Sequence, residues 1–384
     1  MTAATGRPVV RIRLTAPSGP VVTVESGPEH ALRQVAACTL DDLKLSPGAP
    51  PADGPEVRSA PGLDVPAIAR ALPGGRFDPV WLDLPSPRGY LHTLPWEGLL
   101  LGLGRPVWRG SRTAPLPRLG APSLTVTVCA GAWPDGRRGM PERPAEAWAV
   151  PAQCRADVRV FTDPPPPDGR PPAGLGDPWL RGVRDAWDGR ALDVLHVVAP
   201  GVFTGGRGAV RAPDGHAVGA AELSAFLGRT GAWCLMLTGA SAAGSMAALR
   251  DLADAVATAR PCVTLTHDAD EPYEPPADLI PGRNLGPLFG RAFGTEAAGS
   301  APPASPAVGT WVAPSFVDGS AIEADPPPVG PRARAVLARE HAPGWVAAYL
   351  RDLELRDAER CADARAHLTE RLEELVGRYV TAEG

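Results

Sequence analysis

Short apolar runs rich in Val and Leu recur along the chain, each followed by a loop or by a stretch with helical spacing. Ser123–Cys129 (SLTVTVC), Asp193–Ala199 (DVLHVVA), Trp233–Leu237 and Pro261–Thr266 (PCVTLT) are the clearest. A strand with one face in water alternates polar and apolar residues, whereas DVLHVVA is apolar almost throughout, as a strand covered on both faces must be. Crossover helices supply such cover. The pattern therefore predicts an α/β fold with a mostly parallel sheet flanked by helices.

The remaining elements follow from the same reading. Val9–Leu14 and Val21–Val24 form an opening hairpin, and Val80–Leu84, Val158–Phe161 and Thr310–Val317 are further strands. Helices are expected near Val65–Leu72, Pro144–Val150, Trp179–Trp187, Ala220–Leu227, Ser245–Ala259 and Leu285–Phe293. Ser46–Gly62 and Asp163–Gly174 (DPPPPDGRPPAG) are loops, since proline continues neither a ladder nor a helix. After Asp325–Pro331 (DPPPVGP) the composition shifts to Ala, Arg, Glu and Leu. Cys361, Ala364, Leu368, Leu372, Leu375 and Tyr379 recur at helical spacing there, so one helix face must pack on something. Two units result: an α/β domain over residues 8–325 and a C-terminal helical extension over residues 331–384.

Composition removes several function classes. With 44% hydrophobic residues in 384, a sizeable core is available. The net charge of -5 and the lack of a basic block argue against nucleic-acid binding by phosphate neutralisation. Lys44 is the only lysine, so a phosphate-loop lysine and a Tyr-x-x-x-Lys pair are both excluded from the main body. Six scattered cysteines show neither C-x-x-C nor metal spacing with histidine, and no metal or cofactor is expected. The opening MTAATGRPVVRIRL has no signal-peptide core, and no apolar run reaches membrane-spanning length. A cytoplasmic location with no membrane contact is expected.

Four blocks in order resemble the CHAT domain family, a bacterial branch of the caspase-fold peptidases. Leu91–Leu100 (LHTLPWEGLL) is similar to the family's Pro-Trp-Glu signature, here Pro95, Trp96 and Glu97, and the apolar RPVWRG follows it. Asp193–Gly201 (DVLHVVAPG) resembles the strand that ends in His-Gly, and Cys234–Gly244 (CLMLTGASAAG) the strand that ends in Ala-Cys. ARPCVTLTHDAD with LGPLFGRAFG resembles the last core strand and its trailing helix. The resemblance implies a caspase-like sheet over residues Val9 to Asp325. It also implies a role in bacterial defence or signalling assemblies, and does not extend to the C-terminal helices.

Caspase-type hydrolysis needs a thiolate and an imidazole at the carboxyl ends of adjacent parallel strands. Carried onto this sequence, the histidine falls on Pro200 and the cysteine on Ala240, and neither side chain can react. His196 lies four residues before Pro200, about 13 Å back along a strand rising ~3.3 Å per residue. Cys234 lies six residues before Ala240, deeper still. The expectation is a pseudo-protease that binds a protein or peptide without cutting it.

The alternative is an active hydrolase. It would be a cysteine peptidase with displaced residues, or a serine hydrolase using Ser241 in Gly239-Ala-Ser-Ala-Ala243, one residue short of G-x-S-x-G. Asp268 with His341 or His367 would have to complete that triad. Thr238-Gly-Ala-Ser241 also starts like a short-chain dehydrogenase phosphate loop, but its glycine spacing is wrong and its lysine is absent. Asp268, Asp270 and Glu271 follow the fourth core strand, where the family shapes its substrate pocket, and are candidates to receive an arginine of a partner peptide. The stripe Cys361–Tyr379 is a candidate docking face for a protein partner.

Overall fold

The structure, a computed structural model, describes residues 6–15, 20–45, 56–75, 78–85, 88–111, 123–133, 155–161, 177–185, 192–240, 242–269 and 308–314. The expected helices at Pro144–Val150 and Leu285–Phe293, and the C-terminal stripe Cys361–Tyr379, lie outside the described residues.

Three N-terminal strands, β1 (Pro8–Thr15), β2 (Val21–Pro28) and β3 (Arg33–Thr39), form an antiparallel meander. Helix α1 (Val65–Ala71) follows, capped by Asp64, whose carboxylate accepts from Ala67 N at 2.9 Å, with a proline in the first turn. Strand β4 (Val80–Asp83), the short helix α2 (Trp96–Leu99) and strand β5 (Val107–Gly110) complete the first half. The second half contains β6 (Ser123–Ala130), β7 (Arg155–Phe161), helix α3 (Pro178–Asp185) and β8 (Val194–Val198). A small meander, β9 (Gly201–Thr204), β10 (Arg207–Arg211) and β11 (Ala217–Val218), leads into helix α4 (Ala220–Thr230). Then come β12 (Cys234–Gly239), helix α5 (Ala243–Ala259), β13 (Val263–Asp268) and β14 (Val308–Val312).

Eleven strands form one sheet in the order β3-β2-β1-β4-β5-β14-β13-β12-β8-β6-β7. β1, β4, β5 and β14 run parallel, and so do β13, β12, β8, β6 and β7. The two blocks meet at the antiparallel pair β13–β14. This is the α/β, mostly parallel sheet that the apolar runs require.

All residues of β8 and β12 are buried, so neither strand has a wet face. Leu195, Val197, Leu235 and Leu237 share one buried cluster with Met246, Leu249, Leu252 and Val256, which recur at helical spacing on α5. A second core beneath β1, β4 and β5 takes in Ile12, Leu82, Leu99 and Trp96. The two-residue turn Gly205-Gly206 between β9 and β10 has φ of 57° and 74°, the left-handed pair that a tight hairpin demands. Among the described residues, no helix is long and apolar enough to cross a membrane.

Candidate functional site

β8 and β12 are adjacent and parallel, with Val198 opposite Thr238 as the last paired residues. Pro200 and Ala240 each follow two residues after that last pair. The tip is held by backbone bonds: Ala199 N donates to Thr238 O at 2.9 Å, and Arg211 N donates to Pro200 O at 3.2 Å. Gly201 N donates to Ser245 Oγ at 2.9 Å, tying the loop to the first turn of α5. A β-carbon at Gly201 would lie 2.1 Å from Ser245 O, so only glycine allows that approach. Pro200 is buried and Ala240 half-buried.

His196 and Cys234 stand back from this tip. The His196 ring is fully buried on the sheet, with Nε2 2.8 Å from Thr238 Oγ1. Burial, with the neighbouring His267, pushes its pKa down to about 3. Cys234 is the first residue of β12, at the opposite end from Ala240, and is fully buried. Burial above all, then Cys262 and Asp193, pushes its thiol well above the ordinary range. A neutral thiol and a neutral imidazole buried in a sheet are poor reactants, because each must charge during nucleophilic catalysis.

The acidic candidates separate. Asp268 is the last residue of β13, because that strand runs two residues past the expected end at Thr266, and its side chain is buried. It therefore does not stand in the loop after the strand. Asp270, Glu271 and Ser241 lie outside the described residues.

The Pro95-Trp96-Glu97 signature forms a structural strut. Pro95 precedes α2, and Trp96 is fully buried, its indole N–H donating to Leu91 O at 2.7 Å. Glu97 receives both forks of Arg109, at 2.7 Å from Nε and 2.9 Å from Nη2. Arg109 also donates to His92 O and Leu94 O, and its guanidinium lies 4.6 Å from the centre of the Trp311 ring. Both side chains of the pair are nearly closed to solvent, at 2% and 4% exposure. The RPVWRG stretch is thus the strand that anchors the signature, with Arg109 as the reason.

A second polar cluster has no signal in the sequence. His92, Arg88 and Trp311 converge on Asp254 of α5: Trp311 Nε1 donates to Asp254 Oδ1 at 3.0 Å, and Arg88 Nε lies 3.5 Å from Oδ2. Burial would raise the Asp254 carboxyl, but His92, Trp311 and Arg88 outweigh it and hold it below the usual value. These residues border a cleft of about 690 Å³ between β4, β5 and α5. The four side chains come from three stretches of the chain and meet there only through the fold. Among the described residues, no group of three or more His, Cys, Asp and Glu side chains could hold a metal ion.

Comparison with protein-family models, with curated proteins and with solved structures gives no match to this chain.

Proposed function

We propose that this chain is a caspase-like protein of CHAT type that binds a protein or peptide without cleaving it. The observation that carries the reading is the pairing at the sheet tip. Two adjacent parallel strands, last paired at Val198 and Thr238, run on into Pro200 and Ala240, the positions where a caspase-type mechanism would need an imidazole and a thiolate. The close-packed loops remain, with Gly201 seated against α5, while the described His196 and Cys234 side chains are buried away from that tip.

On this reading the tip would hold an extended chain and lack the means to attack it. Asp270 and Glu271, just beyond β13, would receive an arginine side chain, and the stripe Cys361–Tyr379 would dock a helical partner. The resemblance would imply a role in a bacterial defence or signalling assembly.

The test presents the immobilised full chain with a library of arginine-containing peptides and sequences what is retained and what is released. Intact peptides should be retained, and their retention lost in the double variant Asp270→Asn with Glu271→Gln. Cut peptides, or no retention of any peptide, would contradict the reading.

A further inference from the structure

His216 stands in the turn between β10 and β11 with both ring nitrogens against carboxylates. Nδ1 meets Asp214 Oδ1 of the same turn, and Nε2 meets Asp177 Oδ2 at the head of α3. An ionised carboxylate only accepts, so each contact needs an N–H from the ring, and imidazole has two only when it is protonated. A neutral ring satisfies one carboxylate and turns a lone pair on the other. The arrangement is complete in one charge state alone.

Burial decides which contact yields. The Asp177 side chain is 4% exposed, and its Oδ1 already accepts from Leu180 N at 3.1 Å as the cap of α3. Without the ring, its Oδ2 would stay enclosed and lack a donor. Asp214 is 59% exposed, so water can replace the ring there. The neutral ring accordingly keeps its proton on Nε2 for Asp177 and presents a lone pair to Asp214.

Asp214 in turn closes the loop. Its Oδ1 also accepts from His216 N at 3.1 Å, Gly215 N donates to Ala212 O at 2.9 Å, and Ala212 N donates to His216 O at 2.8 Å. Arg211, one residue earlier, donates its backbone N–H to Pro200 O at the sheet tip. We infer that His216 is a proton-operated latch: the imidazolium fastens the β10–β11 turn to α3, and loss of its proton loosens that turn beside the tip loop while the ring stays on Asp177. Burial alone would favour the neutral ring, but the two carboxylates that face it, Asp177 from α3 and Asp214 from its own turn, raise its pKa above the ordinary value. The latch is closed below that raised value and opens as pH rises through it. It acts whether or not a peptide occupies the tip.

The test follows amide hydrogen exchange of the full chain, residue by residue by NMR, from about pH 6 to about pH 9, with each rate corrected for its intrinsic pH dependence. Toward the alkaline end, the amides of Ala212 and Gly215 should lose protection by roughly threefold to fivefold. The amide of Leu180, which Asp177 holds in both states, should keep its protection. Asp214→Asn puts a side-chain N–H opposite Nδ1, so a neutral ring then serves both neighbours. In that variant the turn should stay closed and the pH dependence at Ala212 and Gly215 should vanish. Constant protection of Ala212 and Gly215 in the wild type, the same alkaline loss in Asp214→Asn, or a loss at Leu180 equal to that at Ala212 would each overturn the inference.

Discussion

Arg109 is the residue on which the first half of the sheet depends most. Its guanidinium satisfies Glu97 and two backbone carbonyls and lies against Trp311, so it joins α2, the preceding turn and β14. Removing one partner of a buried pair strands the other, at a cost of about 3–5 kcal/mol. Arg109→Met should therefore lower the unfolding free energy by about that amount, measured by urea denaturation. Adding Glu97→Gln to it should recover part of the loss, because the stranded charge is then gone. A further loss in the double variant would argue against the strut.

Three histidines set opposing pH limbs. His196 and His267 are held neutral by burial, at pKa values of about 3 and about 4 against an ordinary 6.5. The unfolded chain binds those protons first, so stability is full above pH 6.5 and falls as pH drops toward the folded values. The slope should approach about 1.4 kcal/mol per pH unit for each histidine. His216 behaves oppositely: burial alone would lower its pKa, but Asp177 and Asp214, which bracket its two ring nitrogens, raise it. Its contribution is complete below pH 6.5 and disappears as pH rises through the raised value. Because the ring is partly exposed, that contribution is about 1 kcal/mol or less. Urea midpoints between pH 4 and 9 (roughly) should peak near the ordinary histidine pKa, and His216→Ala should flatten only the alkaline limb.

At the scale of elements, α5 does most of the organising. Gly208 N donates to Asp251 Oδ2 at 2.7 Å, and a β-carbon at Gly208 would fall 2.0 Å from Ala248 O. Gly208→Ala must push β10 off α5 and should cost about 1–3 kcal/mol, the range for an overpacked core, read from the thermal midpoint. A change below a few tenths would show that the hairpin moves freely. The elements that were legible in sequence are those whose burial is complete. β8 and β12 reveal themselves because DVLHVVA and CLMLTG must be covered on both faces. β3 does not, since RQVAACT sits at the sheet edge with mixed exposure and no period of two. The β9–β10 hairpin was legible in principle, because Gly205-Gly206 between short apolar runs is a hairpin signal.

At the scale of the molecule, the two parallel blocks touch through β13–β14, and α5 spans both sites. Its first turn holds the tip loop through Ser245, and its later turns bring Asp254 to the cleft. The ends of β8 and β12 could be read from sequence, because Pro200 and Ala240 follow recognisable apolar strands. The cleft could not. Arg88, His92, Asp254 and Trp311 are up to 223 positions apart in the numbering, and no local pattern encodes their meeting. Deleting residues 331–384 should abolish capture of a helical partner while leaving arginine-peptide retention intact, if the stripe and the acidic loop serve separate partners. The most direct measurement of the central claim treats the folded full chain with a thiol-reactive probe and a fluorophosphonate and maps the adducts by mass spectrometry. The account predicts no activity-dependent adduct at Cys234 or Ser241; an adduct there that disappears on alanine substitution, together with cleavage of a peptide, would contradict it.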